Sequence, residues 1–330
     1  MSEVQARTSA GAAAAHLPRG SEIVKPRKPA TEAAIPTYYD QPALKPTFYG
    51  WKVSAYIFVG GLAGSAQIIA TLADLVDRDR FAEIVRNGRY VALAGAVVGA
   101  PLLILDLHTP TRFYNMLRIF RPTSPMSIGS YVLVGFGALS ALLAGAQLMQ
   151  DRGAQNPAVE TAATAVQVPA ALLGAAMSTY TGALLGATST PLWAAAPLTL
   201  PALFGAASMS SATAALSLVG AGEAAAPALE RLEGVASAAE IVLSALLQRR
   251  IRAAGVKTAI GLWPVMLLAA APVLKALPLP SLPPRPSRPG PNWLPVAVLA
   301  GSLLLRHLVL QAGNRSARRP RDHFRVARRR

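Results

Sequence analysis

Apolar runs long enough to cross a bilayer recur along this chain, and they decide its fold class before any motif is read. A spanning helix needs about 20 largely apolar residues, and in lipid only helices or closed barrels satisfy every backbone polar group. Eight runs qualify, near residues 53–73, 90–105, 128–149, 166–189, 192–220, 228–247, 259–276 and 293–310. The fifth is long enough to tilt or to extend along the surface. The sixth is the weakest, since it contains Glu240, and Pro264 and Pro272 are expected to kink the seventh. Arg306 is placed at the end of the eighth run, where it can snorkel toward water. The expected fold is therefore an all-α, polytopic integral membrane bundle of about eight transmembrane helices, spanning residues 47–312.

Composition agrees with lipid as the solvent. Charged residues make up 15% of the chain against roughly 25% in soluble domains, and mean hydropathy is +0.38. The net charge of +16 is spread unevenly over the N-terminal tail, the short loops and the Arg-rich run Arg315 to Arg330. Residues 1–46 read as a flexible, basic, proline-containing tail, and residues 313–330 as a basic C-terminal tail. Nucleic acid is one partner for such tails. The cytoplasmic excess of Lys and Arg beside membrane helices is the better reading, so no nucleic acid is expected. Counted on alternate sides, Lys and Arg favour the side holding both termini, which places both in the cytoplasm and the protein in a bacterial inner membrane. Residues 278–291 are proline-dense and predict an extended loop.

The chain has no cysteine, which excludes disulfides, thiolate metal sites and cysteine-ligated clusters within it. Of its four histidines, only His108 and His307 lie near apolar runs, both at their ends, which argues against two-histidine haem ligation. No metal or haem is expected in this chain.

The most informative stretch is DLHTPTRFYNMLRIFRPTSPMSIGSY, Asp106 to Tyr131. An acid at the very end of an apolar helix is costly unless paired or wet, so Asp106 is a functional candidate, with Arg112 as the natural ionic partner. Arg118 and Arg121 add positive charge, Phe113, Tyr114 and Phe120 suit an interfacial anchor, and Thr123 and Ser124 offer capping hydroxyls before the third helix.

This stretch resembles the NrfD/PsrC family, the integral membrane subunits of polysulfide-reductase-like complexes. The family run Asp-Leu-Gly-x-Pro-x-Arg-Phe-x-Asn-Met-Leu is matched by Asp106, Leu107, Pro110, Arg112, Phe113, Asn115, Met116 and Leu117, with His108 standing where the family has Gly. Pro122 to Ser127 match the Pro-Thr-Ser-Pro-Met-Ser run that follows. Tyr38, Tyr39, Lys45, Pro46, Trp51 and the run Tyr56 to Gly64 resemble the family's approach to helix one, and Tyr180 to Leu185 its fourth helix. The likeness covers about residues 38–220. Beyond that, only the helix pattern and Glu240 agree.

The resemblance implies a subunit with no redox cofactor of its own. It would bind a quinone (menaquinone or ubiquinone) as substrate and exchange electrons between the quinone pool and an iron–sulfur, ferredoxin-like subunit that serves a molybdopterin-type catalytic subunit. It implies Asp106, His108, Arg112 and Glu240 as proton-handling groups, and Tyr56, Gly60, Gly64, Gln67, Tyr114 and Tyr180 as the lining of the quinone slot.

Each of these residues has a plainer reading. Asp106 with Arg112 can simply close a helix end, and His108 can sit solvated at the interface. Gln67 and Glu240 can bond neighbouring helices, Tyr180 can pack, and Gly60 and Gly64 suit close helix approach. Asp74 reads as a solvated helix terminus. Two other functions remain open at this point: a secondary transporter, and a membrane anchor with no redox role. Inverted repeats with matched broken helices would mark the transporter, and no clear pair is visible.

Overall fold

The structure is a computed structural model that describes residues 42, 44–47, 49–107, 109–154, 156–258, 260–276 and 293–327. Helix α1 (Trp51–Asp77) is followed by α2 (Ala82–Ile104), a 3-10 segment (Pro110–Leu117), α3 (Pro125–Asp151) and α4 (Pro157–Gly186). A short α5 (Pro191–Ala194) leads into α6 (Thr199–Val219), α7 (Ala226–Ala253), α8 (Trp263–Ala276), α9 (Trp293–Ala317) and α10 (Pro320–Ala327). No strand occurs among the described residues. Six of these helices are long and apolar enough to cross a membrane, and α8 is a shorter apolar helix. The protein is thus an all-helical, multi-pass membrane bundle. His108, Tyr38, Tyr39 and the loop 278–291 lie outside the described residues.

Successive long helices alternate in direction. The face where α1 begins and α9 ends is called proximal here, and the opposite face distal. Helices α1–α4 pack on one another as one four-helix group and α6–α9 as a second, joined where α1 and α4 meet α6 and where α1 meets α9. Local sequence sets the ends of the helices. Pro125 and Pro157 open α3 and α4 in the first turn, where a missing N–H costs nothing, and the Asn156 side chain accepts the Ala158 N–H at 3.0 Å. Gly220 ends α6 at a φ of 109°, a conformation that side chains rarely adopt.

Small residues let the helices approach closely. A Cβ on Gly64 would run into the backbone of Gly174, and a Cβ on Gly174 into that of Gly64, so α1 and α4 touch main chain to main chain. Gly60 faces Met177 in the same contact. Outward-facing apolar side chains such as Leu72, Val97, Leu142, Leu172, Val242 and Leu267 are exposed, as a lipid-facing surface requires.

The structure corrects several sequence expectations. Helix α2 begins at Ala82 rather than Tyr90 because its charged first turns find partners within the protein. Arg86 pairs with Asp151 at 3.0 Å, Asn87 donates to the Gly220 carbonyl at 2.6 Å, and Arg89 turns inward. Asp74 is not a solvated terminus. Its side chain is 5% exposed and pairs with Arg78 at 2.9 Å and with the buried Arg89 at 3.6 Å. Arg89 also donates to Gln147 at 3.0 Å, so the distal end of the first group is held by a desolvated ionic cluster. The run 192–220 is split into α5 and α6. Pro197 stands in the break, where it can leave the helical ladder without loss, and Gly186 and Gly182 receive Pro197 and Pro201 in close contact.

The correction at Arg306 is the largest. Helix α9 continues to Ala317, which puts Arg306 and His307 mid-helix rather than at an end. Arg306 is 0% exposed. Its Nη1 donates to the Ser302 carbonyl at 2.8 Å and to Ser302 Oγ, its Nη2 donates to Ser208 Oγ at 2.7 Å, and the rings of Phe58 and Phe204 flank it at 5.7 and 5.6 Å.

Candidate functional site

The connection from α2 to α3 is built by side chains that reach back onto the helices. Lys52, in the first turn of α1, donates to the Leu105 carbonyl at 3.2 Å and so neutralises the open C-terminal end of α2. Asp106 follows directly. The 3-10 segment then runs along the proximal face and is tied to α3 from below. Tyr131 Oη donates to the Leu117 carbonyl at 2.8 Å, and Ser127 Oγ accepts the Arg121 N–H at 3.0 Å. The hydroxyl that secures the start of α3 is therefore Ser127, since Ser124 makes no side-chain cap bond. Tyr180 Oη, from α4, donates to the Pro125 carbonyl at 2.6 Å. Gly129 is needed beneath it, because any Cβ there would occupy the Tyr180 ring.

These contacts close a cavity of about 110 Å³ between the proximal ends of α1, α2, α3 and α4. Tyr49, Tyr56, Asp106, Ser130, Tyr180 and Thr181 are its polar lining residues, and Met116 and Met126 are among its apolar walls. Tyr49 stacks on Trp193 with ring centroids 6.2 Å apart. Trp193 is itself fully buried and donates its Nε1–H to the Val309 carbonyl at 3.1 Å, so α5, held by α9, sets the position of Tyr49. Burial, and then the negative charge of Asp106, hold the Tyr49 phenol above its ordinary range. Tyr49 therefore stays an O–H donor beside an acid.

The cavity continues outward. Leu103, Leu107, Met116 and Ser130 line both it and an apolar groove of about 380 Å³ between α2, α3 and the 3-10 segment. Val97, Val134 and Phe113, all exposed, form the outer part of that groove, which opens on the lipid-facing surface. A ligand with a small polar head and a long apolar tail matches this combination, with a few oriented donors at one end and a greasy channel at the other.

Of the residues singled out from sequence, Asp106, Tyr56 and Tyr180 meet in the cavity. Arg112 does not join them. It is exposed on the 3-10 segment, and among the described residues no ion pair links it to Asp106, because the segment carries it out over the proximal face. Tyr114 is likewise exposed and lies edge-on to Phe113 at 6.3 Å. Gly60 and Gly64 serve the α1–α4 packing and do not line the cavity. Gln67 is buried toward the distal half, with its amide donating to Thr71 at 3.1 Å. Glu240 lies in the second helix group, 3% exposed. His108 falls outside the described residues. Tyr49 was missed from sequence. It precedes the first apolar run, and only its ring contact with Trp193 brings it to the site. Among the described residues no cluster of three or more His, Asp or Glu suited to a metal ion occurs.

Fold and site together define a polytopic helical membrane protein with a lipid-facing, polar-tipped pocket at one face. A family model described as "Polysulphide reductase, NrfD" matches residues 42–315, and the chain belongs to that family, whose members are membrane subunits of oxidoreductase complexes. The match runs on through α9, so the second helix group belongs to it as well as the motif-bearing first. A comparison with curated proteins finds no match.

Proposed function

We propose that this chain is the quinone-interacting membrane subunit of an oxidoreductase complex, which it anchors while exchanging electrons with the quinone pool. The observation that carries the reading is the junction of the Tyr49–Tyr56–Asp106–Tyr180 cavity with the apolar groove. Quinone chemistry needs donors for two ring oxygens, a group that passes protons, and an apolar slot for the prenyl tail. The phenols of Tyr49 and Tyr56 are the two donors, while Tyr180, whose single O–H goes to the Pro125 carbonyl, lines the wall and can only accept. Asp106 is the proton-passing acid, at the boundary between helix and water. The electrons come from or go to an iron–sulfur partner feeding a molybdopterin-type subunit. The exposed Arg112, Arg118 and Arg121, with Phe113 and Tyr114, give the proximal face a cationic and aromatic surface for such a partner. In this reading the proximal face is cytoplasmic, in keeping with its Lys and Arg excess, and quinone protons exchange with the cytoplasm.

The test is affinity purification of the chain from native membranes in mild detergent, followed by assay with quinol or quinone and with a soluble dye. The expected result is a copurifying iron–sulfur subunit and electron transfer to both acceptors. Recovery without a redox partner, or a complex active with dye and inert with every quinone, contradicts the proposal.

A further inference from the structure

A second polar system lies along α7, away from the cavity just described. Glu230, Glu233, Ser237, Glu240 and Ser244 recur at alternating intervals of three and four, which puts all five on one face of the helix. That face turns inward. Glu230 sits at the distal surface and pairs with Lys275 at 2.7 Å, whereas Glu233 is 5% exposed and Ser237 and Ser244 are fully buried. Helix α6 presents a matching row. Ser217 Oγ donates to the Thr213 carbonyl at 2.9 Å, Thr213 Oγ1 to the Ser210 carbonyl at 2.8 Å, and Ser210 Oγ lies 3.0 Å from Ser237 Oγ. At the distal face the row opens into a cavity of about 180 Å³ lined by Ser217, Glu230, Glu233 and Lys275.

Two features show that this row is more than helix packing. Among the described residues the buried Glu233 Oε1 and Ser244 Oγ have no hydrogen-bond partner. Glu240 itself accepts no hydrogen bond among the described residues. Arg306 is the one charged group whose field reaches it, and that guanidinium is committed to Ser302 and Ser208 rather than to an ion pair. The polar residues flanking Glu240 on its own helix face, Ser237 and Ser244, are neutral, as is Ser210 of α6, which meets Ser237. The other charges on α7's inward face and on α8, namely Glu230, Glu233 and Lys275, lie at the distal mouth. Toward the proximal face the row ends in a buried apolar cluster that includes Leu247, Ile251, Leu262, Leu305 and Val309.

We propose that the α7 stripe is a proton half-channel, which connects the distal face to Glu240 in the middle of the bundle and is closed toward the proximal face. Protons enter at Glu233 and pass through the Ser210–Ser237 hydroxyl pair. Each hop forms one O–H bond as another breaks, and no electron moves. Glu240 is the terminal acceptor, alternating between a carboxylate in the field of Arg306 and a neutral acid. The inference concerns the second helix group and does not rest on the quinone reading.

Dicyclohexylcarbodiimide tests it, because the reagent dissolves in lipid and adds to a protonated carboxyl to leave a stable N-acylurea that peptide mass spectrometry locates. The full-length chain is reconstituted in vesicles of one verified orientation, with the pH of the two faces set separately and no quinone or redox partner added. Glu240 is expected to be labelled. Its labelling rate should fall about tenfold per unit rise in distal pH above its titration point and ignore proximal pH. Glu233→Gln should delay the response to a jump in distal pH, and Glu240→Gln should remove the label. Labelling that follows proximal pH or neither pH, an undelayed response in Glu233→Gln, or a folded wild-type chain unlabelled at Glu240 would overturn the proposal. A failure of the quinone reading would leave this result untouched.

Discussion

Asp106→Asn is expected to cut quinone-linked electron transfer about a hundredfold or more, while dye-linked activity of the same complex and its yield stay unchanged. The size follows from chemistry. A positioned acid or base contributes roughly 10²–10⁴-fold to a proton-coupled step, and an amide of the same shape cannot supply it. The selectivity follows from the structure. Among the described residues Asp106 makes no ion pair, so neutralising it strands no buried charge and leaves the fold intact. The loop stays pinned by Lys52, Ser127 and Tyr131, none of which uses Asp106. Quinol titrations at matched complex concentration, with the dye assay as control, check the result. Equal loss of both activities would make Asp106 an assembly residue. Retention of both would make Asp106 dispensable for the quinone step.

Gly64→Leu has the largest expected effect on the fold. Adding methylenes to a packed core costs about 1–3 kcal/mol when side chains can shift. At Gly64 the obstacle is the Gly174 backbone, which cannot rotate away, so α1 and α4 must separate. Their separation breaks the Ser65–Ser178 contact of 2.9 Å and the bond from Ser178 to the Gly61 carbonyl at 3.2 Å. It also moves Tyr56 relative to Tyr180, which belong to the same two helices and face the same cavity. The expected outcome is loss of the monodisperse peak when the detergent-extracted protein is sized. Gly137→Leu in α3 is the matched control, since its Cβ position has nothing within 4 Å, and it should run as wild type.

The bundle was legible because hydropathy needs no partner to be read. A run such as 128–149 predicts a membrane helix whatever it packs on, and α3 is there. Charges inside helices were read less well, for a physical reason. Arg306 looks like a helix-end residue on the scale of a hydropathy window. At mid-bundle it is satisfied by Ser208 and Ser302 among others, and Ser208 lies far away in sequence. Arg89 and Asp74 follow the same rule, each satisfied by a residue from another helix. Motif spacing brought Asp106, Tyr56 and Tyr180 together, because those positions sit at helix ends that the topology gathers on one face. It did not find Tyr49, whose place is fixed by Trp193 of α5. It also set Arg112 beside Asp106, a neighbour in sequence that the 3-10 segment carries away.

The most direct test of the quinone reading is photoaffinity labelling of the intact complex with an azido-quinone, with the labelled residues mapped by mass spectrometry. The expected result is labelling that excess unmodified quinone displaces, on residues of the cavity and its groove such as Tyr49, Met116, Met126 and Tyr180, and its loss in Leu103→Trp, which fills the passage between the two. Displaceable labelling confined to other parts of the bundle, or labelling that no quinone displaces, would contradict it.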